Sequence, residues 1–176
     1  MLAYLFVVAA IGVRFLVISL MPHPWAFTPV AAALLFFGAK MPRKQFWAPL
    51  VMLAAADVVL TKFVYQYPLT ADHFVTWAWY AAMLFLGTML SQNANVLRLV
   101  GASLTASVSF FVVSNFAVWA VWAMYPKTLA GLTACYAAAV PFFRYTPLAD
   151  MIFTIALFGA AAAIESMSHR PERTIA

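Results

Sequence analysis

The chain has 176 residues, of which 66% are hydrophobic and only 9% charged, with a mean hydropathy of +0.95. Soluble domains carry roughly 45–50% apolar and about 25% charged residues, and disordered chains are more polar still, so both classes are excluded. The net charge of +5 comes from ten Lys and Arg that are scattered rather than clustered, which argues against nucleic acid as a partner and for topology signals beside a lipid bilayer.

Each bilayer crossing takes about 20 residues at 1.5 Å per residue, so the length allows six or seven spans and leaves no room for a soluble catalytic domain. The apolar runs are continuous instead of alternating, which excludes a barrel, and no internal repeat suggests an inverted-repeat transporter. The expected fold is all-α: an integral membrane helical bundle of about six transmembrane helices. Residues 1–168 form its single domain and residues 169–176 a polar cytoplasmic tail.

In chain order, Met1–Leu20 lacks a basic leader region and an Ala-x-Ala cleavage site, so residues 2–21 read as a span and not a signal peptide. It ends at Met21-Pro22-His23-Pro24, where two prolines enforce an extended turn. The second segment, 26–40, is short and closes at Gly38-Ala39-Lys40-Met41-Pro42; it spans or is re-entrant. The third, 46–65, stops before Tyr67-Pro68, and the fourth, 73–91, gives way to Ser91-Gln92-Asn93-Ala94-Asn95. The fifth, 97–125, is long enough to tilt and ends at Tyr125-Pro126. Residues 128–143 are apolar but short for a span, which favours an interfacial or re-entrant segment covering one face of the bundle. The last helix is expected at 147–168.

With a cytoplasmic N-terminus, Lys40, Arg43, Lys44, Arg98, Arg170 and Arg173 face the cytoplasm and Lys62, Lys127 and Arg144 face outward, as the positive-inside rule asks. A re-entrant 26–40 would move the N-terminus outside, and a spanning 128–143 would flip the C-terminal tail. The expected location is a bacterial inner membrane, with the C-terminus cytoplasmic. In this orientation Trp25, Trp77, Trp79, Trp119 and Trp122 fall toward the outer helix ends and only Trp47 inside. Such a bias fits an interfacial aromatic belt or an aromatic-lined outward pocket.

Ionisable groups inside apolar spans are the strongest functional pointers, because each costs roughly 2.5–3.5 kcal/mol on insertion scales unless paired or placed in a cavity. Arg14, Asp57 and Asn115 share one layer in the outer half of three helices. An Arg14–Asp57 pair is expected there. It either locks helices together or floors a ligand pocket, with Asn115 adding hydrogen-bonding capacity. Asp150 near the start of the last helix reads as a dipole-favoured cap or as a further solute contact. Glu165 snorkels to the interface, His23 and His73 read as surface histidines with a ligand role as the alternative, and Cys135 packs as a small hydrophobe. Small residues recur four apart (Ala78 with Ala82, Ala102 with Ala106, Ala156 with Ala160, Gly159 with Ala163), a spacing that serves internal packing or docking equally well.

The single cysteine excludes an internal disulfide and multi-cysteine metal sites. No metalloprotease, serine-hydrolase or phosphate-loop motif is present, so neither enzyme activity, metal nor cofactor is expected.

Four stretches carry a resemblance: Pro22-His23-Pro24-Trp25-Ala26-Phe27-Thr28-Pro29, Ser114-Asn115-Phe116-Ala117-Val118-Trp119, Tyr125-Pro126-Lys127-Thr128, and residues 139–150 from Ala139 to Asp150. They resemble an uncharacterised bacterial family of small membrane proteins regarded as transport proteins. More distantly, Pro147-Leu148-Ala149-Asp150 makes the chain similar to the substrate-binding S-components of energy-coupling factor vitamin transporters. That resemblance implies six helices and an outward site for a vitamin or cofactor precursor, taken up with an energising transmembrane and ATPase module. It departs from those proteins in lacking their first-helix Ala-x-x-x-Ala docking face and in carrying Arg14 there. The expected function is small-solute binding for uptake, with Arg14, Asp57, Asn115 and Asp150 as polar contacts, Trp25 and Trp119 as aromatic walls, and 128–143 as a lid. An accessory subunit of a larger membrane complex is the alternative, and an ion-coupled carrier using Asp57 or Glu165 a third.

Overall fold

The computed structural model describes residues 1–20 and 28–168. They are all-helical, with no strand among them: α1 (Leu2–Leu20), α2 (Val30–Lys40), α3 (Trp47–Val59), α4 (Asp72–Thr88), α5 (Val96–Val121), α6 (Leu129–Phe143) and α7 (Thr146–Ser168). A 3₁₀ turn at Arg43–Gln45 leads into α3, and a π turn at Leu60–Val64 prolongs it. Three helical runs are long and apolar enough to cross a membrane: Arg43–Val64, α5 and α7. The outer surface is correspondingly apolar, with Leu5, Val51, Phe63, Phe74, Phe85, Phe116, Leu129 and Ile152 all exposed. Apolar cover on that scale needs a nonaqueous neighbour, as expected of a membrane-embedded protein.

The short second segment is the hub. At 11 residues α2 is about 16 Å long, too short for a hydrocarbon core of about 30 Å. Every residue from Val30 to Gly38 is buried, so this helix is surrounded by protein on all sides. It packs against α4, α1 and α7 and more lightly against α5. Phe36 meets Phe6 and Phe158 edge-on at 4.9 and 5.0 Å, and Phe37 meets Tyr4 at 5.0 Å. The closest approach is to α4. A Cβ placed on Gly38 would lie 2.0 Å from the Leu84 carbonyl oxygen, and one on Gly87 would lie 2.3 Å from that of Leu35. Both positions must be glycine for the two backbones to touch.

Helix directions follow from a few contacts. Tyr4 donates to Gln45 at 2.9 Å and Lys40 pairs with Glu165 at 2.9 Å, which gathers the start of α1, the end of α2, the turn before α3 and the end of α7 at one end. This basic end also holds Arg43 and Lys44. At the other end Tyr67 packs on Trp122 at 6.3 Å. The π turn is closed by the Tyr65 N–H donating to Leu60 O at 2.8 Å, and Gln66, at φ 57°, stops the helix in the left-handed region.

The segment expected to lie on one face of the bundle is α6. Thr128 caps it by accepting from the Gly131 N–H at 3.2 Å, and only Gly131 and Cys135 are buried along its length. It runs back along the second half of α5: Tyr136 Oη donates to the Val112 carbonyl at 2.6 Å, and Phe111 packs on Phe143 at 4.4 Å. After Arg144 and Tyr145, α7 continues in the same direction beside the first half of α5. The sequence-based limits 26–40 and 97–125 were too long at their outer ends; α2 begins at Val30 and α5 ends at Val121, where Trp122 turns extended.

Candidate functional site

Among the described residues, two polar groups lie inside the bundle. The first joins α1, α3 and α4. Arg14 Nη1 donates to Asp57 Oδ1 in a close ion pair, and also to Tyr80 Oη at 3.3 Å. Tyr80 Oη in turn donates to Asp57 Oδ1 at 3.4 Å, and the Trp77 indole donates to Asp57 Oδ2 at 3.0 Å. Asp57 is 4% exposed. Both its oxygens are engaged, by a cation, a phenol and an indole, as burial of a carboxyl group requires. The Arg14–Asp57 pair expected from depth is therefore formed, within a cluster that saturates the carboxylate.

Asn115 does not join it. Its helix, α5, faces α6 and α7 there, and its amide nitrogen donates to the Phe111 carbonyl of its own helix at 2.8 Å. Equal depth on three helices does not place three side chains together when the helices stand around a central one.

The second group lies between α5 and α7. Asp150, expected as an N-terminal cap or as a solute contact, does not cap the helix: it is the fifth residue of α7, 6% exposed and turned toward α5. Ser107 Oγ lies 2.6 Å from Asp150 Oδ2 and 3.1 Å from the Ser103 carbonyl oxygen. It has one proton to donate and so shares it between them.

Beside this bond is a pocket of about 240 Å³, lined by Ser107, Phe110, Phe111, Ser114 and Asn115 of α5, Ala139, Phe142 and Phe143 of α6, and Thr146 of α7. Phenyl rings form its walls, and hydroxyls and an amide converge on it, the composition typical of small-molecule sites. An engineered apolar cavity of about 150 Å³ holds benzene, so this volume suits a molecule of one or two rings. The end of α6 supplies one wall. A larger groove of about 580 Å³ lies near the other end, between the last turn of α4, the connection after it and the first turns of α5. Its one charge, Arg98, is exposed and no buried titratable group reaches it, so it is the weaker candidate.

The remaining sequence-predicted positions are accounted for separately. Trp25 and His23 lie outside the described residues. Trp119 pins the α5–α6 connection and does not line the pocket: its indole donates to the Pro126 carbonyl at 2.9 Å, and Lys127 lies over its ring at 5.6 Å while bonding the Trp119 and Trp122 carbonyls. The Trp79 indole donates to Ser109 at 2.9 Å, so three of the tryptophans expected at the outer ends are bonded within the protein. His73 ties the start of α4 to the π turn through Thr61 at 3.0 Å, and Cys135 is buried against α5. Ser107 and its neighbours Ser103 and Thr154 escaped the sequence reading. The available signal was the four-residue spacing of Ser103 with Ser107 and of Asp150 with Thr154 inside apolar helices.

No curated protein and no solved structure matches the chain. Its sequence does match a family model over residues 1–172, essentially its whole length. The chain thus belongs to DUF6580, a family of unknown function.

Proposed function

We propose that this protein is a multi-pass inner-membrane protein that binds a small, largely planar solute, of the vitamin or cofactor-precursor class, for uptake. The observation that carries the reading is the α5–α6–α7 pocket, where Phe110, Phe111, Phe142 and Phe143 provide faces for a flat ring and Ser114, Asn115 and Thr146 provide edge contacts. The Asn115 amide nitrogen is held by its own helix, which leaves the amide oxygen oriented as an acceptor. Asp150 sits behind Ser107, a second layer away from the solute. Arg14 and Asp57 serve as the lock that holds α1, α3 and α4 around α2.

In this reading α1, α3, α4 and α5 cross the membrane, α2 carries the chain back between α1 and α3 inside the bundle without spanning the bilayer by itself, and α6 with α7 forms one interrupted crossing. The basic end, with Lys40, Arg43, Lys44 and Arg98, faces the cytoplasm, as positive charge on short loops dictates. The resemblance of Pro147-Leu148-Ala149-Asp150 to S-components of vitamin transporters is what suggests an energising partner for this uptake.

The test is native mass spectrometry of the protein released from its own membranes. A bound small molecule that is lost in Asn115→Leu and Phe111→Ala supports the pocket; a molecule retained by both places the site elsewhere.

A second reading has its own observation. On α7, Ala156, Gly159, Ala160 and Ala163 are all exposed, and a Cβ on Gly159 would meet nothing within 4 Å. A small-residue face turned outward suits close docking of another transmembrane helix. It fits an energising module or, in the alternative function, a larger complex to which this chain is an accessory subunit. Stoichiometric membrane proteins with an empty pocket in the same spectra favour the accessory role.

A further inference from the structure

The α5–α7 seam contains more polar oxygen than it satisfies. Ser107 of α5 meets Asp150 of α7. The end of α7 lies beside the end of α2 through Lys40 and Glu165, and the end of α4, just before α5 begins, lies there too through Gly38 and Gly87, so α5 and α7 run antiparallel. Four residues further along each, Ser103 and Thr154 occupy the same seam, because side chains four apart share a helix face. Both are 0% exposed, and neither Ser103 Oγ nor Thr154 Oγ1 has a hydrogen-bond partner. Buried hydroxyls are nearly always bonded, so two orphans in one seam call for an explanation.

Asp150 presents the same imbalance in charge. It is almost wholly buried, and the ion pairs among the described residues (Arg14 with Asp57, Lys40 with Glu165, His73 with Asp72) do not include it. A buried carboxylate is ordinarily paired with a cation. Here its neighbour is a neutral hydroxyl that also leans on a backbone carbonyl.

One ligand resolves both anomalies. A carboxylate and three hydroxyls offer only hard oxygen donors, which select alkali and alkaline-earth ions over transition metals. No group of three or more His, Cys, Asp or Glu side chains gathers among the described residues, so the softer metals have no ligand set there. A single carboxylate neutralises a single positive charge, whereas a divalent ion would leave uncompensated charge in an apolar seam. Hydroxyl oxygens coordinate through their lone pairs, so a cation would engage the unpartnered oxygens of Ser103 and Thr154 while each O–H turns to a carbonyl of its own helix.

We propose that Ser103, Ser107, Asp150 and Thr154 form a binding site for a small monovalent cation of the sodium type, in the α5–α7 seam at the floor of the solute pocket. The ion site stands on the seam alone; that it couples to solute, through the shared Ser107, rests on the solute-binding reading above.

The test uses the full chain purified into nanodiscs of phosphatidylethanolamine and phosphatidylglycerol, at fixed pH and ionic strength. Sodium replacing choline should raise Tm saturably, as a ligand specific to the folded state must. Equilibrium binding of radioactive sodium should give about one ion per chain. Asp150→Asn should abolish both responses, and the isosteric Thr154→Val should raise the half-saturating sodium concentration about tenfold. The proposal is overturned if the wild-type protein binds no radioactive sodium and melts alike in sodium and choline, or if Thr154→Val and Asp150→Asn bind sodium unchanged. If Asp150→Asn does not fold, wild-type binding and Thr154→Val decide the matter. Sodium binding without any bound solute would sink the solute reading and leave the ion site; solute binding without sodium would do the reverse.

Discussion

Asp57 and Asp150 are both nearly inaccessible, at 4% and 6% exposure, yet their surroundings differ in kind. Asp57 is held by Arg14, Tyr80 and Trp77 from two neighbouring helices, and its helix is locked to them. Asp150 has one serine, with two unsatisfied hydroxyls a turn away and a pocket alongside. A fully satisfied polar cluster fixes helices in place and has little left for a ligand. A partly satisfied one is a worse structural element and a better binding site. On the proposal made above, the α1–α3–α4 side serves stability and the α5–α7 side binding.

The largest effect expected from this division is on the saturated cluster. Asp57→Leu strands the Arg14 guanidinium without its counter-charge and should cost about 3–5 kcal/mol, whereas Arg14→Met with Asp57→Leu should recover most of that loss. Equilibrium unfolding in mixed micelles measures both. A double variant as damaged as the single one would mean that the cluster does more than balance charge.

The glycine contact between α2 and α4 comes next. Gly38→Ala places a methyl against the Leu84 backbone, where no rotamer change can relieve it, and overpacking of this kind costs about 1–3 kcal/mol. Gly159→Ala, on the open face of α7, should leave stability unchanged or slightly raised, since alanine is the better helix former. Equal melting shifts for the two would contradict the close α2–α4 approach.

A smaller effect of opposite sign is expected in the seam. In choline, with no sodium present, Thr154→Val removes an unpartnered buried hydroxyl and should stabilise the protein by up to about 1 kcal/mol. Destabilisation would show that this hydroxyl is bonded in the membrane. The smallest effect belongs to Lys40→Met. Its ion pair with Glu165 is exposed, at 42% and 58% for the two side chains, and such pairs contribute about 0–1 kcal/mol before screening by salt. A larger loss would make the basic end part of the lock.

Several features were legible from residue order because they depend on distance along a helix. Arg14 and Asp57 sit at similar depths on two helices that rise from the same end, so their pairing could be inferred. The polar breaks at Tyr67-Pro68 and Ser91-Gln92-Asn93 marked the helix ends closely. Asn115 shares the depth and misses the cluster because depth leaves the angle around the bundle free. Asp150 looked like a cap because an acidic residue near a helix start usually is one, and the direction it faces depends on where α5 stands. Ser103 and Thr154 looked ordinary, since serine and threonine in apolar helices normally bond their own backbone.

By itself, then, the sequence determined an all-helical, membrane-compatible chain, the approximate helix limits and the placement of Arg14, Asp57 and Asp150 within apolar helices, all of which follow from hydropathy and the rise per residue. Only the tertiary structure decided that α2 is the buried hub, that α6 forms a wall of the pocket, and that the seam between α5 and α7 holds unsatisfied oxygen. The reason is physical. Lipid tails and a protein interior are equally apolar, so a hydrophobic residue reads the same whether it will face one or the other, and only the packed helices tell them apart.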